Sequence, residues 1–387
     1  MRADLLDLTE EQRGIRDLAR EFALQEIAPH IAKWDEEAYF EPALVKKMGD
    51  LGFLGMLLPE EYGGLGLDTS TYLIALEEIA VIDASAAVMM SVHNSLPTQM
   101  ILRFGNDEQK NRFLKPMASG EMLGAFALSE PEAGSDAAAL TTQAVRDGDH
   151  WVLNGTKSWV TSGNHAGAIL AMARTDTATE RKGARGIGTF IVTPDLDGFH
   201  VGKKEDKLGL RSSPTVQLTF DNMRVPSANL LGEPHMGFIY AMQSLENGRL
   251  GIAAQSIGIA RAALEAATAY AAERHQFDRP IREFQAIQFK LADMATRVAA
   301  SRTLTHAAAR AKDRGETVKQ ATSMAKLFSS ETAMFCTNQA VQIFGGYGYV
   351  KDYPVERLFR DAKVTEIYEG TSEIQRIVIA REQYSHE

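Results

Sequence analysis

Cysteine is nearly missing: the chain has one, Cys336, in 387 residues, so no intramolecular disulfide can form. Long apolar runs are missing too. The longest, such as "IGIARAALEAATAYAA", are cut by Arg261 and Glu265, and none approaches the ~20 residues of a membrane-spanning helix. The nine histidines include no HExxH pair, which argues against a metal site. No GKS or GKT follows a glycine loop, and no GxGxxG opens a strand-turn-helix unit, so neither a P-loop nor a dinucleotide fingerprint is present. Positive charge is in deficit, with a formal net charge of -10, which disfavours nucleic acid as a partner. The opening "MRADLLDLTEEQRGIRDLAR" reads as a charged amphipathic helix with no apolar leader, and a cytoplasmic protein is expected. No internal repeat or low-complexity tract occurs.

What is present divides into three regions. Up to residue 122 the pattern is helical, and in "NDEQKNRFL" Asn106 and Gln109 have the spacing of a capping box. Residues 123–233 change to strand patterns, in which "VQLTF" alternates Val216, Leu218 and Phe220 on one face and Asn154-Gly155 predicts a hairpin turn. Residues 234–387 return to helices, predicted over 248–274, 284–314, 318–344 and after Thr371. Phe284, Ile287, Leu291, Met294 and Val298 recur every three or four residues, as in a bundle seam. The expected fold is mainly α with a central β domain: an N-terminal helical domain, a barrel-like β middle and a C-terminal four-helix bundle.

Several short stretches carry chemistry, each with a plain alternative. "FALSEPEAGSD" offers hydroxyls and an open glycine for a ligand, or is a polar linker. Trp159 and Thr161 in "SWVTSG" would share one face of a strand, beside a flat ring system or as core and cap. "QIFGGYGY" has three glycines in four residues, Gly345, Gly346 and Gly348, which can present backbone N–H groups to phosphate or merely end a helix. "ERHQFDRPIREFQ" brings Arg274, Phe277 and Gln285 close in sequence, as a binding corner or a solvated turn. "EIYEGTSEIQR" sets a carboxylate, Glu369, between Tyr368 and Gly370.

Taken in order, "SEPEAGSD", "KSWVTSG", "KLGLRSSPTVQLTFDNMRVP", "ERHQFDRPIREFQ", "QIFGGYGY" and "IYEGTSEIQR" resemble the acyl-CoA dehydrogenase flavoproteins across essentially the whole chain, most of all the short-chain and short/branched-chain members. The resemblance implies FAD between the β domain and the bundle, an acyl-CoA substrate, assembly as a homotetramer of paired dimers, and electron-transfer flavoprotein as acceptor. It also implies work in fatty acid β-oxidation or branched-chain amino acid degradation. Glu369 matches the family's base, which takes the α-proton of the thioester as a hydride leaves the β-carbon for flavin N5. Such a base must be desolvated so that its pKa approaches the working pH, and donors aimed at the thioester oxygen stabilise the developing enolate.

Carried over by motif, Phe126, Leu128, Ser129, Gly134 and Ser135 would line the flavin or thioester, and Trp159 and Thr161 would cover the ring. Arg274, Phe277 and Gln285, with Gln342, Ile343, Phe344, Gly345 and Gly346, match the group holding the ADP half of FAD, partly from a neighbouring subunit. Thr371 and Glu373 would complete the cofactor contacts. Ser135, Phe238, Glu246, Asn247, Gly248, Arg249 and Gly370 match substrate contacts. This chain differs in having Glu132 where many relatives have glycine and Glu373 where many have glutamine. Some members carry their base on a bundle helix at the position that is Gly248 here, and glycine cannot serve.

"MMSVHNSLPTQMI", with Met90, Leu96 and Met100 around Pro97, is the candidate floor of the acyl pocket, and C4 to C6 straight or 2-methyl-branched thioesters are expected. A medium-chain preference, a flavin-binding homologue without dehydrogenation and a structural helical oligomer are the rival readings.

Overall fold

The computed structural model describes residues 5–176 and 183–384, so the outer ends of the expected 1–122 and 234–387 regions lie outside it. Seven helices come first: α1 (Glu10–Phe22), α2 (Ile31–Glu37), α3 (Pro42–Asp50), α4 (Thr69–Ile82), α5 (Ala84–Ser95), α6 (Pro97–Phe104) and α7 (Asp107–Ala118). The capping box at α7 is present: Gln109 N–H donates to Asn106 Oδ1 at 2.9 Å while Asn106 N–H donates to Gln109 Oε1 at 3.1 Å. Asp83 separates α4 from α5 and caps the latter through the N–H groups of Ser85 and Ala86. Pro97 does not bend a single helix. It occupies the first turn of α6, because the proline ring is incompatible with a helix interior and Leu96 turns the chain. Met90, Leu96 and Met100 consequently enter three different buried clusters.

The middle region is one mixed sheet of β1 (Leu123–Ala127), β2 (Gln143–Asp147), β3 (His150–Thr161), β4 (Ala166–Arg174), β5 (Ile187–Val192), β6 (Phe199–Lys204), β7 (Thr215–Pro226) and β8 (Leu230–Leu231). Its order is β6-β7-β3-β2-β4-β5-β8, with β1 parallel to β4. The hairpin expected at Asn154-Gly155 is not there. Both residues lie inside β3, and the tight turn is Gly148-Asp149, where Asp147 pairs with His150. Gly155 marks a bulge instead: its φ is +151°, and a Cβ there would stand 2.4 Å from Thr142 Oγ1. Asn154 spends its side chain across the sheet, accepting from Asn222 N–H at 2.8 Å.

The last region contains α8 (Gly237–Glu273), a small hairpin of β9 (His275–Gln276) and β10 (Arg279–Pro280), α9 (Gln285–Asp313), α10 (Lys319–Phe344), α11 (Val355–Lys363) and α12 (Ser372–Tyr384). The first helix starts at Gly237 rather than Gly248, since nothing in "FIYAMQSLEN" breaks it and glycine is tolerated within a packed helix. α11, which was not anticipated, buries Val355, Leu358 and Ala362 directly after the Pro354 cap. α8 packs against α4, α5, α9, α10 and α11, and α4 also touches α9.

Buried charge locks α4 onto α8 and α9. Arg261 of α8 meets Glu77 at 2.6 Å and Glu78 at 2.8 Å, and Arg302 of α9 meets Glu77 at 2.8 Å. No described helix is long and apolar enough to cross a membrane.

Candidate active site

Glu369 sits in the turn between α11 and α12, with φ +51° at itself and +91° at Gly370. Non-glycine residues seldom adopt that backbone, and it persists here because the surroundings hold it. Lys326 of α10 donates to the Gly370 carbonyl at 2.8 Å, and Gln375 of α12 donates to the same carbonyl at 2.9 Å and to that of Glu369 at 3.2 Å. Tyr368 donates its hydroxyl to Gln255 of α8, whose amide donates to Ala84 O at 2.7 Å.

The carboxylate turned inward by this backbone has both oxygens shut off from solvent and without a hydrogen-bond partner. Burial raises its pKa to about 7, against the opposing charges of Lys326 and Arg249. Such a group exchanges a proton at neutral pH. Gly248 of α8 faces it so closely that a Cβ at that position would lie 1.9 Å from Glu369 Oε2. The glycine is therefore the space in which the carboxylate rests.

Around the turn, Arg249 is nearly buried and donates to Ser323 Oγ at 3.2 Å, while its Nε lacks a partner. Tyr72 of α4 is 1% exposed with an unpartnered hydroxyl, and burial together with the Glu369 charge keeps it protonated. Asn247 is buried and Glu246 half-buried on the same turn of α8, and Phe238 packs two turns earlier in that helix against a different buried cluster. Thr371 caps α12 by accepting from Ile374 N–H at 3.3 Å, and Glu373 is exposed beyond it.

A second group lies on the sheet. Phe126 of β1 packs against the same cluster as Tyr368, and Leu128 is buried at the end of that strand. Ser129 O accepts from Ser158 N–H at 2.9 Å, joining the "SEPEAGSD" loop to β3. The loop is also clamped underneath: Lys157, fully buried, donates to Glu130 at 2.7 Å and to Leu128 O at 3.2 Å. Beyond this clamp Gly134 and Ser135 are exposed, with nothing within 4 Å of a Cβ at Gly134. Trp159 is 62% exposed at φ +61°, inside a second bulge that leaves Val160 fully buried and Thr161 half-buried. The strand alternation breaks at Lys157 and Ser158, both buried, while Trp159 and Thr161 avoid the core on either side of Val160.

The third group is at the far end of the bundle. A cavity of about 760 Å³ is lined by Arg274, Ile343, Phe344, Gly345, Gly346 and the rings of Tyr270, Tyr347 and Tyr353, among others. Arg274 lies 5.4 Å over the Tyr347 ring. Gln285 and Gln342 are exposed and do not line it, and Phe277 is 87% exposed at the hairpin tip. The 26 residues of α8 from Gly248 to Glu273, just before Arg274, span about 39 Å at ~1.5 Å per residue. One chain therefore does not bring this cavity to Glu369. Neither Lys326 nor Tyr72 was anticipated; a lysine in the middle of the otherwise small and apolar "SMAKLFSS" was the available signal for the first.

Sequence models described as the acyl-CoA dehydrogenase N-terminal, middle and C-terminal domains match residues 9–121, 125–223 and 235–384. The chain belongs to the acyl-CoA dehydrogenase family. It is 50% identical over 375 residues to the short-chain specific acyl-CoA dehydrogenase, mitochondrial, of Rattus norvegicus, covering 97% of this chain and 90% of that one. Butyryl-CoA dehydrogenase from Megasphaera elsdenii superposes with a TM-score of 0.95 at 42% identity, over 98% of this chain and 100% of that one. A chain solved under the description "Electron transferring flavoprotein of Acidaminococcus fermentans: Towards a mechanism of flavin-based electron bifurcation" gives 0.96 at 46% identity, over 99% and 100%. As an acyl-CoA dehydrogenase the protein is an oxidoreductase, and the family depends on FAD. The residues present fit that group. The open position at Gly134, the outward Trp159 and the aromatic cavity beside Arg274 offer backbone access, a ring to stack and a cation for phosphate.

Proposed function

We propose that the protein dehydrogenates short straight or 2-methyl-branched acyl-CoAs to trans-2-enoyl-CoAs, with Glu369 removing the α-proton. The observation that carries this reading is a carboxylate out of water, unpartnered, and tuned to about 7. A thioester α-hydrogen is weakly acidic, so the base must meet it without a water shell and be ionised at working pH. FAD, when bound, accepts the β-hydride. Trp159, Thr161, Ser129 and the Gly134-Ser135 loop would hold its ring. Arg274, Phe277, Gln285 and the Gln342 to Gly346 stretch of a neighbouring copy would hold its ADP half, since the two groups are far apart in one chain. That division supports a homotetramer built from paired dimers.

The backbone N–H of Glu369, presented by the left-handed turn, would polarise the thioester oxygen. Arg249, Asn247 and Glu246, in the third and fourth turns of α8, would receive the substrate. The short-chain reading rests on likeness to the rat enzyme and to butyryl-CoA dehydrogenase. Electrons would leave one at a time to an electron-transfer flavoprotein, a partner suggested by the Acidaminococcus match.

The test is a ranking of kcat/KM over butyryl, 2-methylbutyryl, isobutyryl, hexanoyl, octanoyl and palmitoyl thioesters with electron-transfer flavoprotein as acceptor. Butyryl, 2-methylbutyryl or hexanoyl should lead. Since one methylene is worth only about 0.8 kcal/mol, neighbouring lengths should overlap. Octanoyl or palmitoyl in first place would remove the short-chain reading, and rapid peroxide formation without the acceptor would remove the electron-transfer reading.

A further inference from the structure

Lys326 is 0% exposed in the third turn of α10, an environment that disfavours an ammonium unless something compensates for the lost water. Its Nζ donates to Gly370 O at 2.8 Å, one residue past the proposed base. A carbonyl is a neutral acceptor, and a glutamine would satisfy it equally well. The ammonium has a second neighbour, Glu369, whose charge opposes the loss of its own. Yet the two groups do not touch, because neither Glu369 oxygen has any hydrogen-bond partner. The same helix places Ser323 one turn before Lys326, and Ser323 accepts from Arg249, the other cation facing Glu369. α10 thus presents one charge directly and steadies another, both at a distance that leaves the carboxylate free.

We propose that Lys326 is the positioning residue of the base turn, pinning Gly370 by its hydrogen bond and favouring the ionised form of Glu369 through space. This rests on Glu369 being the base. The groups facing Glu369 are Lys326 from α10, Arg249 from α8, Tyr72 from α4 and Tyr368 from its own turn. Those facing Lys326 are Glu369, Arg249, Glu366 and Glu373. Tyr72 and Tyr368 are neutral, and Glu366 and Glu373 carry the sign that would favour a protonated base. Lys326 and Arg249 are therefore what keeps the carboxylate available. Burial pushes Lys326 itself down to about 8, so its own charge thins out above that pH.

The experiment compares Lys326→Gln, which keeps a donor without charge, with Lys326→Met, which keeps neither. In FAD-loaded protein the acid limb of kcat/KM for butyryl-CoA should move up by about one pH unit in both. The alkaline plateau of Lys326→Gln should stay within about threefold of the parent, while that of Lys326→Met drops about tenfold more as the turn loosens. An unmoved limb in Lys326→Gln overturns the proposal.

A second readout needs no turnover. At pH 8 Lys326→Met should lower Tm, and adding Glu369→Gln, which removes the uncompensated carboxylate, should restore most of the loss and give a folded protein even where the single variant is too unstable to purify. A recovery no larger than the gain that Glu369→Gln gives in the parent overturns the proposal. Turnover retained in Glu369→Gln alone would instead sink the base assignment, so the two failures are distinguishable.

Discussion

Glu77 and Glu369 are both glutamates with their carboxylates taken out of water, and they have been driven in opposite directions. Glu77 sits where α4, α8 and α9 meet. Burial by itself would raise its pKa, but Arg261, Arg302 and His306 outweigh that and hold the carboxyl well below its usual range. Glu369 meets no hydrogen-bond donor, and its cations act only through space, so burial prevails and the pKa rises to about 7. Desolvation is common to both. The difference is contact: a buried carboxylate becomes a fastening when donors touch it and a proton acceptor when they stand back.

The comparison can be broken from either side. The largest expected effect is that of Glu369→Gln, which preserves shape and removes the basic oxygen. A folded, yellow protein that binds acyl-CoA should lose about 10³-fold or more in kcat, and activity within tenfold of the parent would place the proton transfer elsewhere. Next comes Arg261→Met, which strands Glu77 and Glu78 without their shared cation. It should cost about 3–5 kcal/mol, read as a large fall in Tm at pH 8, where the carboxylates left without Arg261 are ionised.

Gly248→Ala should fold and yet lose about 10- to 100-fold in kcat, since the methyl would enter the space of Glu369 Oε2 and displace the carboxylate. A parent-like kcat would show that the carboxylate need not rest there.

The smallest effect concerns stability alone. A carboxyl whose pKa rises from 4.5 unfolded to about 7 folded stabilises the native state while protonated, and that contribution is lost as pH climbs from 4.5 through 7. Glu369→Gln should therefore match the parent in Tm near pH 4.5 and exceed it by about 1–3 °C at pH 8. A crossing in the opposite sense would mean that contact, rather than distance, governs Glu369 as well.

How much of this was legible in the sequence follows the same divide between near and far. The α7 capping box was readable because Asn106 and Gln109 are three residues apart and satisfy each other. Asn154-Gly155 had the composition of a turn, but its conformation is decided by Thr142 on β2, packed against Gly155, and by Asn222 across the sheet. Local preference yielded to register there. The Glu77 cluster gave no signal, because its partners Arg261 and Arg302 are 184 and 225 residues away. Glu369 stood out through the resemblance of its motif. Nothing in the letters "YEG" announces a left-handed turn or an unpartnered carboxylate. Lys326 had only the weak signal of one charge within the small and apolar "SMAKLFSS", and its partner Gly370 is 44 residues away.

The length of α8 has a genetic corollary. With the base turn beside Gly248 and the aromatic cavity about 39 Å farther along α8, each chain, on the proposed division of the FAD site, would contribute to two different cofactor sites. A chain crippled at Glu369 and a chain crippled at Arg274 would then carry lesions that fall on different sites when they assemble together. Co-expressed, two individually dead alleles should complement each other, yielding hybrid particles in which some centres are wholly intact.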